Sequence, residues 1–266
     1  MTGQGNQADA GIQRALEMGT ELAGSVSGAA VGFLIGGPPG AVAGAIVAPV
    51  IKHTLVESMR RIITRREKVR VATTLAFTIT ACEERLNAGD QLRQDGFFEA
   101  GVTDRSAADE VAEAVVVASE RSFEERKTEY LGYLLANIAF AEGLDRWLAN
   151  RISRTAERLS WSQLVILSAV ASEDITLPAV VLGQNIRSWI GWAAQQEAID
   201  LLAEGYLTTT PDRTPRFGLS APNQRLAEAR LGMGGVLLVE LMWLTRIPDQ
   251  DVEAVLSRFG HDDSAV

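Results

Sequence analysis

Residues 22–51 read LAGSVSGAAVGFLIGGPPGAVAGAIVAPVI and contain no charged side chain. Within this run a glycine occupies every fourth position: Gly24, Gly28, Gly32, Gly36, Gly40 and Gly44. A four-residue spacing places small residues along one stripe of a helix, where a second backbone can approach closely. Each glycine inside a helix costs roughly 1 kcal/mol relative to alanine, so close packing must offset that cost. The pattern predicts helix packing through these glycines.

The GGPPG motif at residues 36–40 interrupts the run, because two consecutive prolines cannot lie inside a helix. The sequence therefore predicts a helical hairpin with apolar arms at residues 22–36 and 40–51. At about 1.5 Å per residue, neither arm reaches across the roughly 30 Å core of a bilayer. Three alternatives remain open: a hairpin that enters one face of a membrane, one that spans only as an oligomer, and one buried in a soluble bundle.

A basic segment follows the uncharged run. Its cations are Lys52, Arg60, Arg61, Arg65, Arg66, Lys68 and Arg70. Basic residues beside an apolar segment are typical of contact with anionic lipid head groups on the cytosolic side, although a solvent-exposed charged helix gives the same pattern. The first 20 residues show no secretory signal. We therefore expect a cytoplasmic protein, with the inner face of the cell membrane as a second possible location.

The glycine register and the central GGPPG resemble the glycine-zipper segments of many bacterial proteins. The resemblance covers residues 22–51 and implies close helix association, often at a membrane.

Apolar residues at helical spacing continue beyond residue 51. They predict one or two largely buried helices over residues 51–93, another long helix from residue 104 to about 143, and an amphipathic helix over residues 144–159. The apolar side of the third helix consists of Leu144, Trp147, Leu148, Ile152 and Leu159. Such helices predict a bundle.

The pattern changes at Ser160, which forms a capping box with Gln163 and starts a helix over residues 161–171. The elements predicted after it are a helix near residues 186–204, a strand at 206–210, a turn at 211–215 and a return strand at 216–220. This order resembles a winged-helix domain over residues 160–260. The predicted fold is thus mainly α: a helical hairpin and long-helix bundle, followed by a winged-helix-like α+β module. The predicted domains are residues 1–70, 71–159 and 160–266.

Charge and composition exclude several functions. The chain has a formal net charge of −9, and residues 161–266 hold seven arginines, no lysine and 13 acidic residues, so nucleic acid is an unlikely partner. One cysteine and two histidines leave no basis for a Cys/His zinc site or a histidine-based catalytic triad. We predict no catalytic residue, metal ligand or cofactor. The five tryptophans and Cys82 are expected to lie in the core.

Two further segments, KTEYLGYLLANIAF at residues 127–140 and ERLSWSQLVILSAV at residues 157–170, resemble uncharacterised bacterial proteins grouped near the abortive-infection alpha family. The resemblance implies a role in phage defence, with cell arrest or membrane damage as one outcome.

The sequence as a whole predicts a non-enzymatic bacterial protein that associates with a membrane surface, self-assembles, or does both. The alternative is a soluble adaptor whose hairpin is buried in the bundle and whose acidic C-terminal module binds a partner protein. A catalytic domain of unrecognised type is the third class, which the scarcity of histidine disfavours.

Overall fold

The computed structural model describes residues 65–99, 105–184, 186, 188–209 and 224–260. The six zipper glycines, Lys52, Arg60 and Arg61 lie outside these residues. The described part forms two compact units that divide between Arg158 and Leu159. It contains eight α-helices and one two-stranded antiparallel sheet. The predicted mainly α class, a helical bundle followed by a small α+β module, is confirmed.

The first unit is a bundle of four helices: α1 (Arg65–Asn87), α2 (Ala107–Arg121), α3 (Lys127–Ile138) and α4 (Arg146–Arg158). Helix α3 is its centre, because every residue of α3 except Glu129 is buried. It packs most extensively against α1, while α2 contacts α1, α3 and α4. Leu131, Leu134 and Ile138 of α3 are among the largest fully buried side chains, so burial of apolar surface around α3 stabilises the unit.

Helices α1 and α3 approach closely at Gly132. A Cβ atom on this glycine would lie 2.5 Å from the carbonyl oxygen of Thr74 and 2.7 Å from the Cβ of Phe77. Two threonines of α1 donate hydrogen bonds across the contact: Thr74 Oγ1 to the carbonyl of Thr128 at 3.0 Å, and Thr78 Oγ1 to the carbonyl of Gly132 at 3.1 Å. Small and hydroxyl side chains therefore set the distance between the two helices.

The prediction of one helix from residue 104 to about 143 is wrong, because α2 and α3 are separate. Helix α2 ends at Arg121, since the backbone of Ser122 turns to the extended region (φ −65°, ψ 120°). Helix α1 ends at Asn87 rather than at residue 93, and Gly89 follows with a positive φ of 94°. The predicted helix at residues 144–159 is confirmed as α4, but Trp147 is exposed rather than on its buried side.

The second unit contains α5 (Trp161–Ala171), α6 (Trp189–Ala203), β1 (Leu207–Thr209), β2 (Ala229–Leu231), α7 (Met233–Leu241) and α8 (Asp249–Leu256). Helix α5 is its core, with Leu164, Ile166 and Leu167 fully buried, and it contacts α6, α7, α8 and β2. The predicted capping box is confirmed: the backbone N–H of Gln163 donates to Ser160 Oγ at 3.1 Å, and Gln163 Oε1 accepts from the backbone N–H of Ser160 at 3.0 Å.

Strands β1 and β2 pair antiparallel, with Leu207 opposite Leu231 and Thr209 opposite Ala229. The segment before α6 adds one bridge to this arrangement, between Val181 and Arg225. The return strand predicted at residues 216–220 lies outside the described residues, and the partner that the structure gives β1 is β2. Helix, bridge segment, helix and two strands thus form the small α+β module.

Candidate association surfaces

The first two turns of α1 contain the described part of the predicted basic segment: Arg65, Arg66, Lys68 and Arg70. The side chain of Arg66 is 82% exposed, and its Nε lies 3.4 Å from Glu125 Oε1. Arg70 donates from Nε to the carbonyl of Ser119 at 3.2 Å and from Nη2 to the carbonyl of Glu120. Arg70 therefore satisfies carbonyl groups in the last turn of α2, which is a structural role. Membrane contact by the basic segment stays a prediction.

The buried guanidinium of Arg93 forms hydrogen bonds that stabilise the loop after α1. The side chain of Arg93 donates from Nε to Asp95 Oδ1 at 2.8 Å, from Nη2 to Asp95 Oδ2 at 2.5 Å, and from Nη2 to the carbonyl of Leu144 at 2.7 Å. It also stacks on Phe97, with Cζ 4.1 Å from the ring centroid. The hydrogen bond from Arg93 lowers the pKa of Asp95 from 3.8 to about 2. These contacts connect the loop after α1 to the loop between α3 and α4. The donors of Arg93 named here are used for hydrogen bonds within the protein.

Among the described residues of the first unit, Lys127 is also a buried cation. Its Nζ donates to the carbonyl of Glu157 at 2.9 Å, in the last turn of α4, where the helix dipole favours a positive charge. Burial lowers the pKa of Lys127, and nearby Glu124 and Glu157 oppose that effect. Cys82 is half-buried, and burial raises the pKa of its thiol to about 12. A thiol with this pKa is protonated at neutral pH and a poor nucleophile.

The part of the chain that the structure describes contains no group of three or more His, Cys, Asp and Glu residues placed to hold a metal ion. None of its helices combines the length and apolar character needed to cross a membrane.

The second unit exposes a cluster of large apolar side chains at the start of α6. We call the paired rings of Trp189 and Trp192 the aromatic face; their side chains are 79% and 47% exposed, respectively. Ile186 and Ile190 near the start of the helix are also exposed, at 41% and 46%. The rings of Trp189 and Trp192 contact each other edge to face, with centroids 6.4 Å apart and planes at 82°. Large apolar residues grouped in this way at a protein surface mark an interaction site.

Two polar residues, Ser188 and Gln195, fix the start of α6 and the segment that precedes it. Ser188 caps α6, because its Oγ accepts a hydrogen bond from the backbone N–H of Gly191 at 2.8 Å. Gln195 is buried, and its Oε1 accepts from the backbone N–H of Gly183 at 2.8 Å, which fixes the segment leading into the helix. The cap and the buried amide define where α6 starts and which residues face outward.

The expectation that the tryptophans lie in the core is wrong, because Trp147, Trp189 and Trp192 are exposed and Trp161 and Trp243 are only half-buried. The buried stripe of α6 is built instead from Gly191, Ala194, Gln195, Ala198 and Leu201. Three of these five buried residues are Gly or Ala, and small side chains allow a helix to pack closely. Apolar residues on both sides of the segment WIGWAAQQEAIDLLA were the sequence signal for an exposed apolar face.

The glycine-rich segment at residues 232–235, which lacks the spacing of a nucleotide-binding loop, has a packing role. A Cβ atom on Gly232 would lie 2.1 Å from the carbonyl oxygen of Gly205, and one on Gly235 would lie 2.2 Å from that of Tyr206. These glycines let α7 begin directly against the chain that connects α6 to β1.

Acidic groups follow the aromatic face along α6. Trp189, Trp192, Gln196 and Asp200 are spaced at intervals of three and four residues and share one side of the helix. Asp200 is exposed, and its Oδ1 accepts from Gln196 Nε2 at 3.2 Å. Helix α6 contains no Lys or Arg, and the described residues of the second unit include ten acidic and four basic side chains. The surface therefore changes from apolar to negative toward the C-terminus of α6.

Comparison of the chain with protein-family models, curated proteins and solved structures finds no match.

Proposed function

We propose that this chain is a non-enzymatic bacterial protein that acts by association. Residues 22–70 hold it at an anionic membrane surface, join copies through the glycine zipper, or do both. Phage defence is the biological setting that the resemblance of residues 127–140 and 157–170 implies. The aromatic face of α6 carries the general proposal of action by association, because large exposed apolar side chains mark an interaction site. The uncharged, glycine-spaced run and the basic segment after it support the assignment of membrane or zipper contact to residues 22–70.

A second candidate function is a soluble adaptor whose C-terminal module binds a partner protein. The acidic surroundings of the aromatic face favour it, because anionic lipid repels a negative surface. The two functions differ in whether a membrane is contacted. The first assigns membrane contact to residues 22–70, whereas the second requires none.

Vesicle flotation of the full chain tests the membrane contact that the first candidate includes and the second does not require. The protein is mixed with phosphatidylserine-containing or neutral vesicles at low and high salt. In the first function it floats with anionic vesicles and less so at high salt, because each cation near such a surface contributes roughly 1 kcal/mol and salt screens it. Absence from both floating fractions would remove membrane contact and leave zipper self-assembly and the adaptor as the remaining functions. Equal, salt-independent flotation with both kinds of vesicle would mean that the hairpin binds the membrane and that the arginines do not contribute.

The hydrogen bonds of Arg70 determine which arginines can be replaced to test membrane contact. Arg60, Arg61, Arg65 and Arg66 are replaced by glutamine, and Arg70 is kept because it satisfies carbonyl groups of α2. The matched control replaces four exposed arginines elsewhere, Arg151, Arg154, Arg225 and Arg258, and so removes the same net charge. The first variant should lose a few kcal/mol of binding to anionic vesicles, and the control should lose much less. Equal loss in both variants would indicate that only net charge matters.

A further inference from the structure

We propose that the aromatic face of α6, together with the acidic residues that follow it, is a docking site for a basic amphipathic helix of a partner protein. This inference rests on the proposed role in association, and it names the class of partner for the C-terminal module. It is independent of membrane contact by residues 22–70.

The apolar part of the site is preorganised. Trp189 and Trp192 lie on a helix whose start is fixed by the Ser188 cap and whose underside is held by buried Gln195. Their rings already contact each other in the free protein. Anchors that are held in place lose little conformational freedom on binding, and tryptophan is enriched among the residues that dominate binding energy.

The polar part of the site selects the charge of the partner. Asp200 and Glu204 are exposed in the last turn and at the C-cap of α6, where the helix dipole is also negative. A negative surface attracts Lys and Arg and repels acidic segments, anionic lipid and nucleic acid phosphates. Charge complementarity therefore favours a basic protein segment over a membrane or a nucleic acid.

The spacing along α6 defines the partner further. Asp200 lies eight positions after Trp192, which corresponds to about 12 Å along a helix. A partner helix lying along α6 would present apolar side chains to Trp189 and Trp192 and Lys or Arg about two turns away. Such a segment has apolar residues at intervals of three and four, with its cations concentrated toward one end.

The experiment measures the fluorescence anisotropy of a dye-labelled synthetic helix of leucine and lysine titrated with the full chain. A helix in which glutamate replaces lysine is the charge control. Trp189→Ala/Trp192→Ala tests the apolar anchors. Trp147→Ala is the matched control, because Trp147 is as exposed as Trp189, at 79%, but lies in the first unit. Asp200→Asn/Glu204→Gln tests the acidic part with minimal change in shape.

The lysine helix should bind the wild type and Trp147→Ala equally. It should bind the double tryptophan variant roughly tenfold or more weakly, as expected for loss of central anchors. Asp200→Asn/Glu204→Gln should bind several-fold more weakly, with a reduced dependence on salt. Because both acidic residues are exposed, this variant keeps the test valid should the double tryptophan variant fail to fold.

Three results would overturn the inference: equal binding of the glutamate helix, unchanged binding by both double variants, or loss of vesicle flotation instead of peptide binding when the tryptophans are removed. The last would assign the aromatic face to a membrane. Failure of the membrane function alone is seen separately, as absence of the wild type from floating vesicles with peptide binding intact.

Discussion

At the scale of single residues, the pair of Arg93 and Asp95 shows how one buried charge organises a loop. The side chain of Arg93 is 3% exposed, whereas that of Asp95 is 34% exposed, so solvent weakens the attraction from one side. The carbonyl of Leu144 and the ring of Phe97 complete the surroundings of the guanidinium. Removing the carboxylate would leave a buried cation with fewer acceptors, which is costly in a protein interior.

We expect Asp95→Asn to lower the free energy of unfolding at neutral pH by about 1–2 kcal/mol, since hydrogen bonds to charged groups contribute more than neutral ones and partial exposure reduces the effect. The folded state lowers the pKa of Asp95 from 3.8 to about 2, so its contribution is complete above pH 3.8 and is lost as pH falls through about 2. Urea unfolding at several pH values should show the gap between wild type and variant closing over this range. A gap that is constant with pH, or one equal to that of the exposed control Asp174→Asn, would contradict the assignment.

Some residue roles could be predicted from the sequence and others could not. The capping box of Ser160 and Gln163 was predictable because its donors and acceptors lie within one turn. The bond from Arg93 to Leu144 and the role of Arg70 were not, since these acceptors are about 50 positions away in the chain, at Leu144 for Arg93 and at Ser119 and Glu120 for Arg70. Long-range hydrogen bonds leave no periodic signal.

At the scale of secondary-structure elements, the contact of α1 with α3 depends on Gly132, which no sequence pattern marks. Glycine-mediated helix packing was predicted at Gly24 to Gly44 from a repeating register, and those residues lie outside the described part of the chain. Gly132 stands alone in KTEYLGYLLANI, so no repeat marks it. The break between α2 and α3 was also hidden, because residues 122–126 contain neither glycine nor proline.

Gly132→Ala should lower the free energy of unfolding by about 1–3 kcal/mol, because the added Cβ meets the carbonyl oxygen of Thr74 at 2.5 Å and backbone atoms cannot yield as a flexible side chain does. Gly260→Ala is the control, since a Cβ atom there meets nothing within 4 Å. Urea unfolding followed by circular dichroism measures both variants. Equal stability of Gly132→Ala and wild type would mean that α1 and α3 can separate without cost.

At the scale of the whole molecule, the fold class was predictable and the docking surface was not. Helical periodicity, the capping box and the β-prone residues after Gly205 defined a helical bundle and a small α+β module. The same periodicity placed the tryptophans in the core, because spacing alone does not tell which face of an apolar helix is covered. Trp189 and Trp192 are exposed because small residues, Gly191, Ala194 and Ala198, occupy the buried side of α6.

The two proposed association surfaces should act independently, and the glycine zipper provides the test. If Gly28 and Gly32 lie at a close helix contact between copies, Gly28→Leu/Gly32→Leu should separate the backbones at an overpacking cost of roughly 1–3 kcal/mol or more, and the oligomer should dissociate. Ala30→Leu adds a leucine between these two positions but off the four-residue stripe, so it should keep the oligomer. Sedimentation velocity of the full chain measures the oligomer, and the leucine–lysine helix reports on α6 in the same samples. The zipper contact is ruled out if the double leucine variant keeps both its oligomer and its melting temperature. If that variant loses peptide binding together with the oligomer, the two surfaces depend on each other.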